Sequence, residues 1–383
     1  MALAWVTYIF IMAIKPPDTF DVSAAVHGHD DYYYEQKVGV DGETGEAGDD
    51  GEFEVAERYA NDTATEGSDA RSLPRVAIVT MMHDPSGLRT WLNHHLGKGI
   101  HRFYVRYETC GDPAKNDMDI HALNMYPQVS LQIGKPVDPT EGAGEGMDTT
   151  PGQAQMLRQR RWLSDAIGLA QNDGVHWLIH IDSDELLDCA GGSSPCSVPE
   201  AIQREALENT QTMVLNNYEA LYNKDKIGNT PAAKHCFSNT HMRFCSDGYC
   251  ASYANGKGIG RVSPYLREDG VHRFRYDGPN SESMREVTMS SMHVVHFESC
   301  DFVKYVNKFM KLANEERVQF PFQYYNDSIS IARTAECQGS VQSLVKEPMP
   351  TISNPYEDLT PDCKALFENT YKKYRVVEDF ANH

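Results

Sequence analysis

A short apolar run at residues 177–181, with the sequence WLIHI, is followed at once by the acids Asp182, Asp184 and Glu185. A run of this length is typical of a buried β-strand. In open α/β sheets, ligands bind at the carboxyl ends of the strands. Two carboxylates one residue apart at such an end are able to chelate a hard divalent cation through oxygen. The run therefore predicts an α/β sheet with a metal-diphosphate site at a strand end.

Strand and helix patterns alternate along the chain from residue 75. An apolar strand at residues 76–79, a helical pattern over residues 88–96 and an alternating strand at residues 102–107 predict a right-handed βαβ unit. The elements predicted after it are strands at 129–133, 177–181 and 212–215, helices at 153–170, 199–207 and 302–316, and short strands near residues 259, 274 and 292–297. The Asp-Cys-Ala-Gly-Gly sequence at 188–192 is predicted to be a loop. We predict an α/β fold with a mostly parallel, doubly wound sheet and a mixed C-terminal half.

The chain divides by composition into four segments. Residues 1–15 are nearly all apolar, and they predict a signal peptide or short signal-anchor because a spanning helix needs about 20 such residues. An incorrect start or a fragment of a longer anchor is the alternative. Residues 16–73 hold 16 Asp and Glu against 3 Lys and Arg, which predicts an acidic, disordered stem. The main domain is expected at residues 74–316, followed by a wrapping extension at residues 317–383.

The distribution of charge excludes one class of partner. The net charge is −20, and the densest basic cluster, at residues 158–161, is too small for a phosphate-backbone surface. We therefore predict no nucleic-acid partner.

Nine cysteines and two glycosylation sequons, at Asn61 and Asn326, indicate an oxidising secretory compartment. We expect the protein in the Golgi lumen, held by an N-terminal membrane anchor, or secreted. Cys189 and Cys196 bracket a small loop and are the most plausible local disulfide. The three cysteines between residues 236 and 250 lack the C-x-x-C spacing of a zinc site, which favours disulfides there too.

An ordered set of motifs between residues 75 and 310 resembles the nucleotide-sugar glycosyltransferases of the A-type fold, in the family 2-like and family 92 group. The upstream motifs are WLNHHLGKGIHRFYV at residues 91–105 and WLIHIDSDELL at residues 177–187. The downstream motifs are GKGIGR at 256–261, GVH at 270–272, His296 with Phe297, and FVKYVNK at 302–308. The resemblance implies a single A-type glycosyltransferase domain.

This resemblance also implies a Mn²⁺ or Mg²⁺ ion held by Asp182, Asp184 and His296, which would stabilise the charge of a departing nucleoside diphosphate. Imidazole beside carboxylates favours Mn²⁺, although a satisfied core histidine is the alternative for His296. The residues expected to contact the donor are Thr80, His83, Glu108, Arg158, Asp182, Lys257 and His272. An exposed helix position is the alternative for Arg158. Where the first two strands depart from the family pattern, Glu108 or Asp112 is expected to replace the usual contacts.

The predicted activity is metal-dependent transfer of a hexose from a nucleotide sugar, expected to be UDP-linked, to a glycan or glycoprotein acceptor with inversion. Inverting transfer needs a carboxylate as general base, and Glu219 is the first candidate and Asp269 the second. Two other classes stay open. One is a metal-dependent phosphate-ester hydrolase that uses the same carboxylates, and the other is a non-catalytic lumenal module that retains the fold.

Overall fold

A mixed β-sheet with helices on both faces carries the acidic strand end. The computed structural model describes residues 72–83, 85–109, 113–134, 151–190, 196–223, 237, 241–244, 255–300, 302–313, 322–337 and 359–377, which all lie within one compact unit. The strands are β1 (Val76–His83), β2 (Arg102–Glu108), β3 (Val129–Gly134), β4 (Trp177–His180), β5 (Glu185–Cys189), β6 (Thr210–Asn223), β7 (His241–Phe244), β8 (Lys257–Arg261), β9 (Leu266–Asp269), β10 (Arg273–Tyr276), β11 (Arg285–His296) and β12 (Val376–Val377). The helices are α1 (Leu88–Gly97), α2 (Pro113–Asn124), α3 (Pro151–Asn172), α4 (Val198–Glu205), α5 (Phe302–Ala313), α6 (Gln323–Ala332) and α7 (Pro361–Arg375).

The strand order divides the sheet into a parallel part and a mixed part. The order is β3-β2-β1-β4-β8-β6-β11-β5, with β7 and β12 pairing to β6 and with β9 and β10 forming a separate hairpin. The first four strands are mutually parallel. β8 is antiparallel to both of its neighbours, β6 and β11 are parallel, and β5 is antiparallel to β11. The predicted fold class and the predicted parallel βαβ unit are confirmed.

Alternation along β1 gives the sheet two buried faces. Val76 and Ile78 belong to the core that contains Trp91 of α1. Ala77 belongs to a second core that contains Trp162 of α3. Successive side chains of a strand point to opposite faces, so a strand buried on both sides must be apolar throughout. Helices covering both faces leave the ends of the strands as the accessible part of the central sheet.

The structure departs from the predicted elements at two places and adds detail at the C-terminal extension. Residues 185–189 form β5 rather than running into a loop at residue 188, because they pair with β11 about a hundred positions away in the sequence. Helix α2 was missed because it buries only Asn116, Ala122 and Leu123 and so lacks an apolar stripe. The C-terminal extension contains α6 and α7, and its β12 pairs with β6, so this segment is part of the same sheet and core.

Two disulfides lie within the described residues. The predicted Cys189–Cys196 bridge is present, with its Cα atoms 6.2 Å apart. Cys337 and Cys363 form a second bridge, which ties the segment after α6 to α7 with Cα atoms 5.1 Å apart. These bonds fit the expectation of an oxidising compartment.

Several predictions fall on residues that the structure does not describe. They are the N-terminal segment, all but the last two residues of the acidic stem, the sequon at Asn61, Asp112, and the three cysteines at 236–250. The second sequon lies on α6, where the Ser328 hydroxyl is buried and donates to the carbonyl of Tyr324. Across the described residues, we find no helix with both the length and the apolar character required to cross a membrane.

Candidate functional site

Three parallel strands end at one edge of the sheet and bring polar side chains together there. β1 pairs with β2 so that His83 lies opposite Glu108. β1 also pairs with β4 so that Val79 lies opposite His180, and Asp182 follows two positions later in the chain. Because β1, β2 and β4 are parallel, their carboxyl ends share the edge at which α/β sheets bind ligands.

Glu185 shapes the turn that follows β4. Its carboxylate accepts a 2.7 Å hydrogen bond from the backbone N–H of Asp182, and its own N–H donates to the Asp182 carbonyl at 3.2 Å. The Trp91 indole donates to the Glu185 carbonyl at 2.8 Å. The side chain of Glu185 is fully buried. It therefore holds the backbone that presents Asp182 and Asp184.

A buried lysine neutralises the acids on the inner side of this turn. The Lys257 ammonium lies 2.5 Å from Asp182 and 3.3 Å from Glu185 and is fully buried. Burial opposes ionisation of Asp182, but the Lys257 charge overcomes it and holds the pKa of that carboxyl well below its usual range. Burial raises the pKa of Glu185 to about 7. Since the ammonium is engaged by two protein carboxylates and has no exposed surface, its position does not support the predicted contact with a donor.

Gln159 also contacts Asp182, although no motif in the sequence contains it. Its amide donates to the second carboxylate oxygen of Asp182 at 3.1 Å. Gln159 lies one helical turn before Trp162, and both side chains are buried. Residues three apart share a helix face, so this spacing was the available signal that Gln159 points to the sheet.

A close backbone approach at Gly256 sets the position of Lys257. Gly256 has φ +62°, and a Cβ atom there would overlap the carbonyl oxygen of Leu215 on β6. Glycine tolerates a positive φ, and it has no Cβ atom to clash with the Leu215 carbonyl oxygen. β8 therefore approaches β6 closely at its first residue, the point at which Lys257 enters the sheet.

Gly256→Ala is expected to destabilise the protein more than Gly270→Ala. Gly270 also has a positive φ, +73°, but no described atom lies within 4 Å of the point that a Cβ atom would occupy there. The loss of unfolding free energy in Gly270→Ala therefore measures only the cost of a positive φ at an alanine. That cost is about 1–2 kcal/mol, and the clash at Gly256 should add at least about 1 kcal/mol more. Urea unfolding of both variants measures the difference. Equal losses of unfolding free energy would show that the approach of β8 to β6 is not constrained.

A second cluster links Asp184, His296 and Glu219. The His296 imidazole lies between two carboxylates, with Nε2 3.5 Å from Asp184 and Nδ1 3.4 Å from Glu219. Burial would lower the pKa of His296, but Glu219 and Asp184 together raise it well above its usual value. His296 lies opposite Glu219 in the β11–β6 register, and the Phe297 N–H donates to the Asp184 carbonyl at 2.8 Å. The predicted residues Asp184, His296 and Glu219 are thus in contact.

A third cluster occupies the β1–β2 part of the edge. Arg158 donates two hydrogen bonds to Glu108, at 2.8 and 3.1 Å, and a ring nitrogen of His83 lies 3.2 Å from the Glu108 carbonyl. Arg158 is therefore not the exposed helix residue considered as its alternative. Thr80 is fully buried, and its hydroxyl has no hydrogen-bond partner among the described residues. It lies inside the sheet below the edge.

The β9–β10 turn approaches the cluster around Lys257. A ring nitrogen of His180 lies 2.8 Å from the Val271 carbonyl, and one of His272 lies 3.2 Å from the Gly256 carbonyl. Burial, reinforced by the Lys257 charge, lowers the pKa of His272 to about 3 and that of His180 to about 4. Both imidazoles are therefore neutral at pH 7. Asp269 is exposed at the end of β9, just before this turn.

The donor set fits a metal at Asp184 and His296 better than at Asp182. Neighbouring ligands of an octahedral ion with bonds of about 2.1 Å lie about 3 Å apart. The 3.5 Å separation of Asp184 and His296 is close to that value. Both oxygens of Asp182, in contrast, are engaged by Lys257 and Gln159. No three His, Cys, Asp or Glu side chains in the described part of the chain are grouped as a metal site, so the predicted three-ligand set is not assembled.

The fold and the three clusters define an α/β protein with carboxylates and histidines at its strand ends. No protein-family model matches the chain. It is 27% identical over 159 residues to "Glycosyltransferase-like At3g57200" of Arabidopsis thaliana, a match covering 37% of this chain and 29% of that protein. It is 24% identical over 132 residues to "Glycosyltransferase-like At2g41451" of the same plant, covering 31% and 29%. The chain thus matches less than a third of the length of these curated relatives.

Among solved structures, the chain is similar to S. aureus TarS 1-349. The match has 7% identity and a TM-score of 0.26, and it covers 78% of this chain and 87% of that one. A TM-score of this size carries no argument about fold or function. The fold class rests on the strand order and register described above.

Proposed function

We propose that this protein is a nucleotide-sugar glycosyltransferase of the A-type fold, in the family 2-like and family 92 group. It transfers a hexose, carried by UDP, to a glycan or glycoprotein acceptor with inversion. The contact between Asp184 and His296 at the carboxyl edge of the sheet is the observation that carries the proposal. The similarity to plant proteins named glycosyltransferase-like supports it over the part of the chain that matches.

Asp184 and His296 are proposed to hold Mn²⁺ or Mg²⁺. Such ions are commonly bound by one or two protein groups, with substrate phosphates and water as the other ligands, and an imidazole ligand favours Mn²⁺. When bound, the ion supplies positive charge that stabilises the departing diphosphate. Asp184 is suited to this role because its side chain is 45% exposed, whereas that of His296 is 9% exposed and is fixed by its surroundings.

The other residues of the edge are proposed to orient the donor. Asp182 has a carboxylate held on both oxygens and a side chain that is 30% exposed, so it offers a rigid acceptor for a donor hydroxyl. The ion pair between Glu108 and Arg158, with His83 beside it, is proposed to bind the nucleoside. Thr80, Lys257 and His272 lie behind these groups and support their positions.

Asp269 is the better-placed general base of the two predicted carboxylates. A base must come within hydrogen-bond reach of the acceptor hydroxyl. Asp269 is exposed beside the turn that contains His272 and contacts His180, whereas Glu219 is 2% exposed. Asp269→Asn is expected to lower kcat about 100-fold without changing Mn²⁺ affinity. Asp277→Asn, at an exposed position 43% accessible near the same hairpin, is the control, and equal rates for the two variants would contradict this role.

Incubating the full chain with a panel of UDP-sugars, Mn²⁺ and acceptor glycans tests the proposed activity. The expected result is UDP release that requires one donor sugar and stops when EDTA removes the metal. Phosphate release from simple phosphate esters without need for a nucleotide sugar would favour the hydrolase. Absence of turnover, together with absence of Mn²⁺ and UDP binding by calorimetry, would favour a non-catalytic module.

A lumenal location, with an N-terminal anchor or after secretion, is part of the same proposal. Two disulfides among the described residues support it, because such bonds persist in oxidising compartments. Endoglycosidase treatment of the expressed protein is the test. A shift in mobility that disappears in Asn61→Gln is expected, whereas a chain with free thiols and no glycan would contradict a lumenal location.

A further inference from the structure

We infer that Glu219 is a positioning residue that orients the His296 imidazole toward Asp184, and that it is not the general base. The inference rests on the proposed metal-dependent transfer. It concerns the one predicted catalytic carboxylate that is almost completely buried, with 2% of its surface exposed.

The sheet itself aligns Glu219 with His296. Glu219 lies in β6 between two paired strands, opposite His296 on β11 and Arg243 on β7. The carboxylate Oε1 is 3.4 Å from His296 Nδ1, and Asn217 also donates to this oxygen at 3.4 Å. Because β6 and β11 are hydrogen-bonded along the sheet, the backbone positions that carry Glu219 and His296 are held next to each other. The fold therefore fixes which carboxylate faces the imidazole.

The chemistry of the pair determines which nitrogen of His296 is available. Ionised carboxylates only accept hydrogen bonds, so each ring nitrogen of His296 turns an N–H toward a carboxylate, Nδ1 toward Glu219 and Nε2 toward Asp184. A metal ion held at Asp184 would replace the proton on Nε2, and Glu219 would keep the proton on Nδ1. A carboxylate on the far nitrogen is how many metal-binding histidines are held in one tautomer and orientation. Glu219 thus aims the lone pair of His296 at the position between the imidazole and Asp184.

The same geometry argues against proton transfer from an acceptor to Glu219. A general base needs an approach of about 2.6–3.2 Å by the hydroxyl that it deprotonates. Glu219 has almost no exposed surface, and one of its oxygens is already shared by His296 and Asn217.

Calorimetric titration of the full-length protein with MnCl₂ alone separates the two roles. Glu219→Leu is expected to weaken Mn²⁺ binding about 10–100-fold, the usual effect of losing such a partner. Glu219→Gln retains a carbonyl oxygen that accepts from Nδ1, so its Mn²⁺ affinity and kcat should stay close to those of the unmodified protein. A general base would give the opposite pattern, with kcat of Glu219→Gln reduced about 100-fold or more at unchanged Mn²⁺ affinity.

Glu205→Leu is the matched control. The Glu205 carboxylate accepts hydrogen bonds from the backbone N–H groups of Ser290 and Ser291, at 2.7 and 2.9 Å, on the same strand as His296 but away from the site. It should leave Mn²⁺ affinity unchanged. If Glu219→Leu fails to fold, Glu219→Gln distinguishes the two roles. A retained kcat supports the positioning role. A lost kcat at unchanged Mn²⁺ affinity overturns it.

The outcome is independent of the outcome for the transferase. Weaker Mn²⁺ binding by Glu219→Leu in a protein that turns over no nucleotide sugar would support the positioning role and contradict the proposed activity. Turnover together with identical Mn²⁺ affinities for Glu219→Leu and the unmodified protein would overturn the positioning role and retain the activity.

Discussion

Asp184→Asn is expected to lower metal-dependent UDP release about 1000-fold, because a bound metal stabilises the departing diphosphate by several kcal/mol and each 1.4 kcal/mol is about tenfold in rate. Asparagine keeps the shape of the side chain but loses the negative charge that attracts a divalent cation. The Asp184 side chain is 45% exposed, so the variant is expected to fold normally. A coupled UDP assay at saturating donor, repeated across Mn²⁺ concentrations, measures the loss.

Asp165→Asn is the control for this substitution. Asp165 is an exposed aspartate on α3, and it should retain full turnover. If Asp184→Asn releases UDP at the rate of Asp165→Asn, the strand-end carboxylate has no part in catalysis. The proposal for the metal would then have to be withdrawn.

Lys257→Met is expected to reduce the free energy of unfolding by about 3–5 kcal/mol, the usual effect of breaking a buried ion pair from one side. Lys257 and Glu185 have no exposed surface, and the Asp182 carboxylate lies 2.5 Å from the ammonium. Without the ammonium, the buried Glu185 carboxyl group and the partly exposed Asp182 carboxylate would face each other with no counter-charge. Urea unfolding measures the change.

Lys115→Met provides the comparison for Lys257→Met. Lys115 forms an ion pair with Asp119 one helical turn away, with side-chain exposures of 32% and 14%, so its loss should cost less than about 1 kcal/mol. Adding Glu185→Gln to Lys257→Met should restore part of the loss, because the amide oxygen still accepts from the Asp182 N–H but carries no charge. Equal costs for the two single lysine variants would contradict the role assigned to Lys257.

The sequence was most informative where structure depends on neighbours in the chain. The apolar run before Asp182, the helical spacing around Trp91 and the small loop between Cys189 and Cys196 each predicted an element or a bond that the structure contains. Strand alternation and helix periodicity are local properties, so a single sequence is sufficient to reveal them.

The sequence was least informative where an element is stabilised by distant partners. β5 follows an acidic turn and forms because β11 pairs with it, and α2 has too few buried residues to produce an apolar stripe. The partners of Gln159 and Glu185 were not evident from the sequence, although Glu185 belongs to the acidic motif and Gln159 shares a helix face with Trp162. Their functions depend on the groups that face them across the sheet.

For the site as a whole, the sequence by itself determined that acids follow a buried strand and that His296 and Lys257 lie in strand-like segments further along the chain. Only the tertiary structure decided that Lys257 pairs with Asp182, 75 positions away, and that Glu219 meets His296, 77 positions away. The reason is physical: which carboxylate receives the ammonium and which receives the imidazole depends on the strand order β4-β8-β6-β11 and on its register. Those pairings arise from non-local packing, and local sequence patterns do not encode them.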